Sequence, residues 1–221
     1  MKKAIILAAV LFMMSAPNAF AQCCQADFDY DGNVYPSDLS VFLSEYGRTD
    51  CYPCGSNPAS VPKTGQTTSY ATGDDGDLEK GVAWPNPRFT DNLDGTITDN
   101  LTGLIWLKNA NCFDMTSWYY ALSDSNGLAS GSCGLTDGSN AGEWRLPNYK
   151  ELFSLTDAEN YCPALPYGHP FNNVQGSIYW SSTTNAIVTD YAFFVEMYYG
   201  DVGYDNKDYS HCVWPVRGGN D

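Results

Sequence analysis

Asp27, Asp29 and Asp31 stand at alternate positions, Gly32 follows directly, and Asp38 closes the segment at the twelfth position counted from Asp27. Alternate carboxylates let a short chain curl its oxygens around one hard cation. A glycine at the sixth position permits the sharp turn, and a side chain at the twelfth shuts the site. Asn33 at the seventh offers its backbone carbonyl, and Val34 occupies the eighth. The chemistry expected is calcium coordination by Asp27, Asp29, Asp31, Asn33 and Asp38. A second set lies near the C-terminus: Asp190, Tyr198, Tyr199, Asp201, Tyr204, Asp205, Asn206 and Tyr209. Tyrosine brings amphipathic contact area at low entropic cost, Asp and Asn bring directional hydrogen bonds, and aromatic faces stack on sugar rings. These eight residues are the expected ligand-binding face.

Catalytic chemistry finds less support. The chain has two histidines, His169 beside a proline and His211 beside Cys212, so neither a histidine triad nor a zinc cluster suggests itself. Cys51 and Cys54 have C-x-x-C spacing without a surrounding βαβ pattern, which reads as a staple rather than a redox centre. With 26 acidic residues, carboxylate pairs arise without meaning, and none is singled out as a hydrolase pair. The expectation is a non-enzymatic binding protein.

The elements that must hold these residues begin with a leader. Lys2 and Lys3, an apolar run from Ala4 to Met14, and Ala19-Phe20-Ala21 read as a secretory signal peptide over residues 1–21. The protein is therefore expected outside the cell, without membrane insertion. All eight cysteines follow the leader, at Cys23, Cys24, Cys51, Cys54, Cys112, Cys133, Cys162 and Cys212, which in an oxidising compartment favours disulfides. Cys112 and Cys133 bracket a helix and form the obvious pair, and Cys162 and Cys212 can pair across the last stretch. The pairing among Cys23, Cys24, Cys51 and Cys54 stays open. Removing the leader's two lysines leaves 9 basic residues against 26 acidic ones, a net of −17. Such a surface repels nucleic acid and anionic membranes and suits cations.

Behind the calcium loop, Leu39, Phe42, Leu43 and Tyr46 recur at helical spacing and Gly47 ends the run, so residues 22–55 form a loop plus one amphipathic helix. Residues 56–66 have linker composition, and residues 67–219 form the main domain. There Asp94-Gly95 predicts a type I′ hairpin turn with φ > 0 at both residues. Leu104 to Leu107 predicts a buried strand, and Met115 to Leu128 a helix with Trp118, Ala121 and Leu122 inward. Asn148 and Glu151 form a capping box for a second helix from Tyr149 to about Ala158. Asp74-Asp75-Gly76-Asp77 reads as a solvated loop. Tyr191 to Met197 alternates as a strand with Tyr191, Phe193, Val195 and Met197 on one face. A polar, aromatic excursion over residues 198–210 follows, and Trp180 and Trp214 are expected in the core.

The loop-and-helix segment resembles one calcium repeat of a type I dockerin, which also closes its loop with Asp. Dockerins carry two repeats and this chain has one, so calcium binding carries over better than docking to a cohesin-like partner. Further on, FTDNLDGTITDNLTGLIWLKNANC, GSCGLTDGSNAGEWRLPNYKELFSL, HPFNNV, YWSSTT and VWPVRGG together resemble the Lcl C-terminal domain family of collagen-like bacterial adhesins. That resemblance implies an α+β fold similar to C-type lectin-like domains and the formylglycine-generating enzyme, with two helices on a twisted, irregular β core. It implies adhesion to a glycan or cell-surface protein. The sulfated glycans associated with the family fit poorly with a net of −17. Two alternatives follow from resemblance: a component of a cohesin and dockerin type polysaccharide-degrading assembly, or a hypervariable, retroelement-diversified receptor-binding protein.

Overall fold

The computed structural model describes residues 61–218. The leader, the calcium loop with Asp27, Asp29, Asp31, Asn33 and Asp38, and the four cysteines Cys23, Cys24, Cys51 and Cys54 lie outside the described residues.

The architecture is α+β, with short helices and two antiparallel sheets. In chain order the elements are α1 (Asp75–Leu78), β1 (Phe89–Asp91), β2 (Thr96–Asp99), β3 (Ile105–Leu107), α2 (Trp118–Gly127), α3 (Tyr149–Phe153), β4 (Ile178–Thr184), β5 (Tyr191–Glu196), β6 (Asp201–Asn206) and β7 (Val216–Arg217). One sheet runs β1-β2-β3-β7 and the other β4-β5-β6. β7 closes the first sheet by pairing Trp106 with Val216, which brings the end of the chain back to its third strand. No helix among the described residues is long and apolar enough to cross a membrane.

The core forms where the aromatic residues meet. Trp106, Trp144, Trp214 and Tyr179 are fully buried, with Trp214 edge-on to Trp106 at 5.7 Å and to Phe171 at 4.9 Å. T-shaped contacts of this kind match the positive ring edge to the negative ring face and fix the packing. A second cluster gathers Trp118, Ala121, Leu146, Trp180, Ala192 and Val213. Both tryptophans assigned to the core, Trp180 and Trp214, are there.

Several expectations change in detail. The β1–β2 hairpin forms, but its left-handed residues are Leu93 (φ 62) and Gly95 (φ 88), not Asp94. Asp94 instead accepts hydrogen bonds from the Thr96 N–H and Oγ1. A Cβ at Gly95 would also lie 2.4 Å from the Gly134 carbonyl, so the close approach as well as the backbone angle demands glycine. Helix α2 starts at Trp118 rather than Met115, because Thr116 exchanges both backbone hydrogen bonds with His211. Helix α3 ends at Phe153 rather than Ala158. The Asp157 and Ala158 N–H groups donate to the carbonyls of Ala164 and Thr64 instead of continuing the helix. Its capping box, Asn148 with Glu151, is made as expected. Asp74 caps a single helical turn, α1, where a loop was expected. Residues 61–66, of linker composition, are tied into the domain: Val61 and Lys63 bond with Val82, and Trp84 Nε1 donates to the Lys63 carbonyl.

The Cys112–Cys133 disulfide is formed. The expected Cys162–Cys212 bridge is not. Cys162 is exposed at a left-handed position (φ 49), its N–H held by the Tyr198 carbonyl, while Cys212 is buried at 2% exposure.

Candidate functional site

The β5–β6 hairpin carries most of the residues expected to bind ligand. Its register pairs Phe193 with Tyr204, Tyr191 with Asn206 and Glu196 with Asp201. Side chains alternate between faces along a strand, so Tyr191, Phe193, Val202, Tyr204 and Asn206 share one face. Ala192, Phe194, Glu196, Asp201, Gly203 and Asp205 share the other.

On the first face an aromatic platform forms. Tyr149 stacks on Phe193 at 5.1 Å with planes 28° apart, and Tyr204 stands edge-on to both Phe193 and Tyr191 at 6.1 Å. Tyr204 is 56% exposed. The platform is braced from beneath. Tyr149 is the first residue of the capped helix α3, and its N–H donates to Thr183 Oγ1. Glu151, the other half of that cap, takes two hydrogen bonds from the Arg145 guanidinium, and the Ser181 hydroxyl donates to the Phe193 carbonyl at 2.6 Å. Rings fixed by packing and hydrogen bonds lose little entropy when a ligand arrives.

On the second face Phe194 packs toward the second core cluster and lies against Gly203. A Cβ on Gly203 would come within 2.5 Å of the Phe194 ring, so the glycine is what lets the ring lie flat across the neighbouring strand. Beside it His211, 8% exposed, rests against Trp180 at 4.5 Å and its Nε2 is 3.0 Å from Asp205 Oδ2.

The expected binding residues do not gather in one patch. Tyr198, Tyr199 and Asp201 cluster at the β5–β6 turn, with the Tyr198 and Tyr199 rings 4.5 Å apart. Asp190, Asp205, Asn206 and Tyr209 gather at the opposite end of the hairpin. There Lys207 donates its N–H to the Asp190 carbonyl and Tyr209 its N–H to the Asn206 carbonyl. Six strand residues separate the ends by roughly 17 Å. Tyr204 lies between them. Tyr149, Tyr191 and Phe193, which sequence reasoning left out, complete its surroundings. Tyr191 and Phe193 could have been suspected from alternation, but nothing local announces that Tyr149 lies on Phe193.

Charge is distributed unevenly. Asp190, Glu196, Asp201, Asp205 and Asp208 surround the hairpin, and Lys207 is its one cation. Lys207 is only 7% exposed: its Nζ donates to Thr184 Oγ1 and the Thr189 carbonyl and sits 4.1 Å over the Trp118 ring. Enclosed this way, it ties the β4–β5 loop to α2 and presents no charge to a ligand. The hairpin therefore faces solvent as an anionic surface.

A separate cleft of about 690 Å³ is lined by Ile105, Asn126, Glu143, Arg145 and Arg217. Its arginines are balanced: Arg217 is 3.0 Å from Asp137 and 3.5 Å from Glu143, and Arg145 is paired with Glu151. Burial pushes the Cys212 thiol up, which keeps it protonated and weakly nucleophilic at neutral pH. Among the described residues no group of three or more His, Cys, Asp or Glu side chains is placed to hold a metal ion.

A family model described as the Lcl C-terminal domain matches residues 95–217. The match starts in the β1–β2 turn and ends in β7, so it takes in the whole β5–β6 hairpin and more than half of the chain. A comparison with curated proteins finds no match. The chain belongs to the Lcl C-terminal domain family.

Proposed function

We propose that this chain is an exported, non-enzymatic, adhesin-like protein that binds a glycan or a surface protein through the β5–β6 hairpin. The observation that carries the reading is the braced aromatic platform of Tyr149, Tyr191, Phe193 and Tyr204, half exposed on the face of the hairpin opposite to Glu196, Asp201 and Asp205. Family membership supports a ligand-binding role, and two antiparallel sheets with short helices are compatible with the C-type lectin-like architecture that the family resemblance implies. Asp27, Asp29, Asp31, Asn33 and Asp38 would hold one calcium ion in a dockerin-like half-EF-hand, with Cys23, Cys24, Cys51 and Cys54 stapling its ends. Such a small module gains folding energy from the ion it binds.

The test is a glycan and protein array probed with and without calcium. Tyr204→Ala and Tyr149→Ala should each lose binding while the protein stays folded, and retained binding in both would move the ligand face elsewhere. In a thermal melt, calcium should stabilise the N-terminal module and Asp29→Ala should remove that shift. An unchanged melt in the native sequence would remove the calcium site.

A further inference from the structure

β6 is an edge strand. It pairs with β5 on one side, and no strand among the described residues pairs with its other side. Asp201, Val202 and Tyr204 are exposed. An edge of this kind presents a row of backbone N–H and carbonyl groups to which an extended chain can add.

The side chains flanking that edge are sorted by register. Asp201 and Asp205 project on one face, with Glu196 opposite Asp201, and Val202 and Tyr204 project on the other, with Phe193 opposite Tyr204. A strand added to β6 would set its alternate side chains against carboxylates on one face and against an aliphatic and aromatic surface on the other. The only cation of the hairpin, Lys207, is enclosed beneath Trp118 and leaves those carboxylates unneutralised from their own side, apart from the contact of Asp205 with His211. A second copy of the chain is disfavoured, because pairing β6 with itself brings Asp201 and Asp205 near their own counterparts.

We infer that β6 is a docking edge for an extended protein segment in which lysine or arginine alternates with apolar residues. The basic residues meet Asp201, Asp205 and Glu196; the apolar ones cover Val202 and Tyr204; main-chain hydrogen bonds to β6 set the register. This rests on the reading of the hairpin as the ligand face and narrows the ligand to a basic polypeptide.

The experiment measures binding of the full chain to three synthetic octapeptides at physiological salt: lysine alternating with valine, four lysines followed by four valines, and glutamate alternating with valine. The alternating lysine peptide should bind about tenfold tighter or better than the block peptide of equal charge, and the glutamate peptide should not bind. Methylating the amides that face β6 should weaken binding by about tenfold or more, since the protein's backbone groups lose their partners. Asp201→Asn, an exposed and isosteric change, should weaken it about two- to fivefold. Equal affinity for the alternating and block peptides would mean diffuse attraction to an acidic protein and would overturn the proposal, as would indifference to amide methylation or to Asp201→Asn. If no peptide binds while array binding still depends on Tyr204, the ligand face stands and the β6 edge does not.

Discussion

At the four-stranded sheet charged residues are paired, Arg88 with Asp99, Lys108 with Asp91 and Arg217 with Asp137. Arg88 and Asp99 are almost wholly buried, joined through Nε and Nη2, and Asp99 also accepts from the Leu101 N–H and the Thr102 hydroxyl. Arg88 lies between the rings of Trp84 and Phe89 and donates to the Ser154 carbonyl. In the three-stranded sheet the arrangement is reversed. Asp201 stands in solvent, Asp205 is partly exposed, aromatic rings are half covered, and the one lysine is hidden. The first sheet uses charge to fix a unique packing, at a desolvation cost that its hydrogen bonds offset. The second leaves charge and ring faces available. One sheet is scaffold and the other presents.

The largest effect is expected from Asp99→Ala. It strands a buried guanidinium, so the domain should lose about 3–5 kcal/mol in urea denaturation; a loss below 1 kcal/mol would put the scaffold's stability elsewhere. Gly203→Ala comes next and asks whether the presenting sheet also has a rigid point. The added methyl meets the Phe194 ring, and overpacking of this kind costs about 1–3 kcal/mol. No change would show that the ring moves freely. Tyr204→Ser is the converse: stability within about 0.5 kcal/mol of the native protein, as for exposed positions generally, together with lost array binding. The smallest effect is expected from Glu159. Its carboxylate accepts hydrogen bonds from the Thr68 hydroxyl and from the Thr67 and Thr68 N–H groups, which hold it below the usual carboxylate range. A folded value below the unfolded one stabilises above pH 4.5, and that contribution disappears as pH falls through the folded value. Acid titration of stability should therefore be slightly steeper in the native protein than in Glu159→Gln, and identical titrations would assign the bonds no net effect.

The features legible in the sequence are those made within a few residues. The Asn148–Glu151 capping box, the hairpin around Asp94-Gly95, the strand that begins at Tyr191 and the Cys112–Cys133 pair all depend on chain neighbours or on one short loop, and all are present. Even there, tertiary contacts moved the edges. Thr116 bonds with His211 instead of joining α2, and Asp157 and Ala158 bond with Ala164 and Thr64 instead of extending α3. The excursion after Tyr198 contains β6, which its sequence hides because Asp, Gly and Asn are poor strand formers and only pairing with β5 makes them extended.

By itself the sequence determined the class of the protein: its acidic balance, its aromatic and carboxylate-rich C-terminal segment, its family motifs and the short-range turns and caps that bound its elements. Which of those residues share a surface was decided only by the fold. Tyr149 reaches Phe193, Lys207 disappears beneath Trp118, and seven of the eight expected contact residues separate to the two ends of a hairpin, with Tyr204 between them. The reason is physical: composition and local periodicity record what each residue prefers, whereas a shared face is created by strand register and by packing between segments distant in the chain.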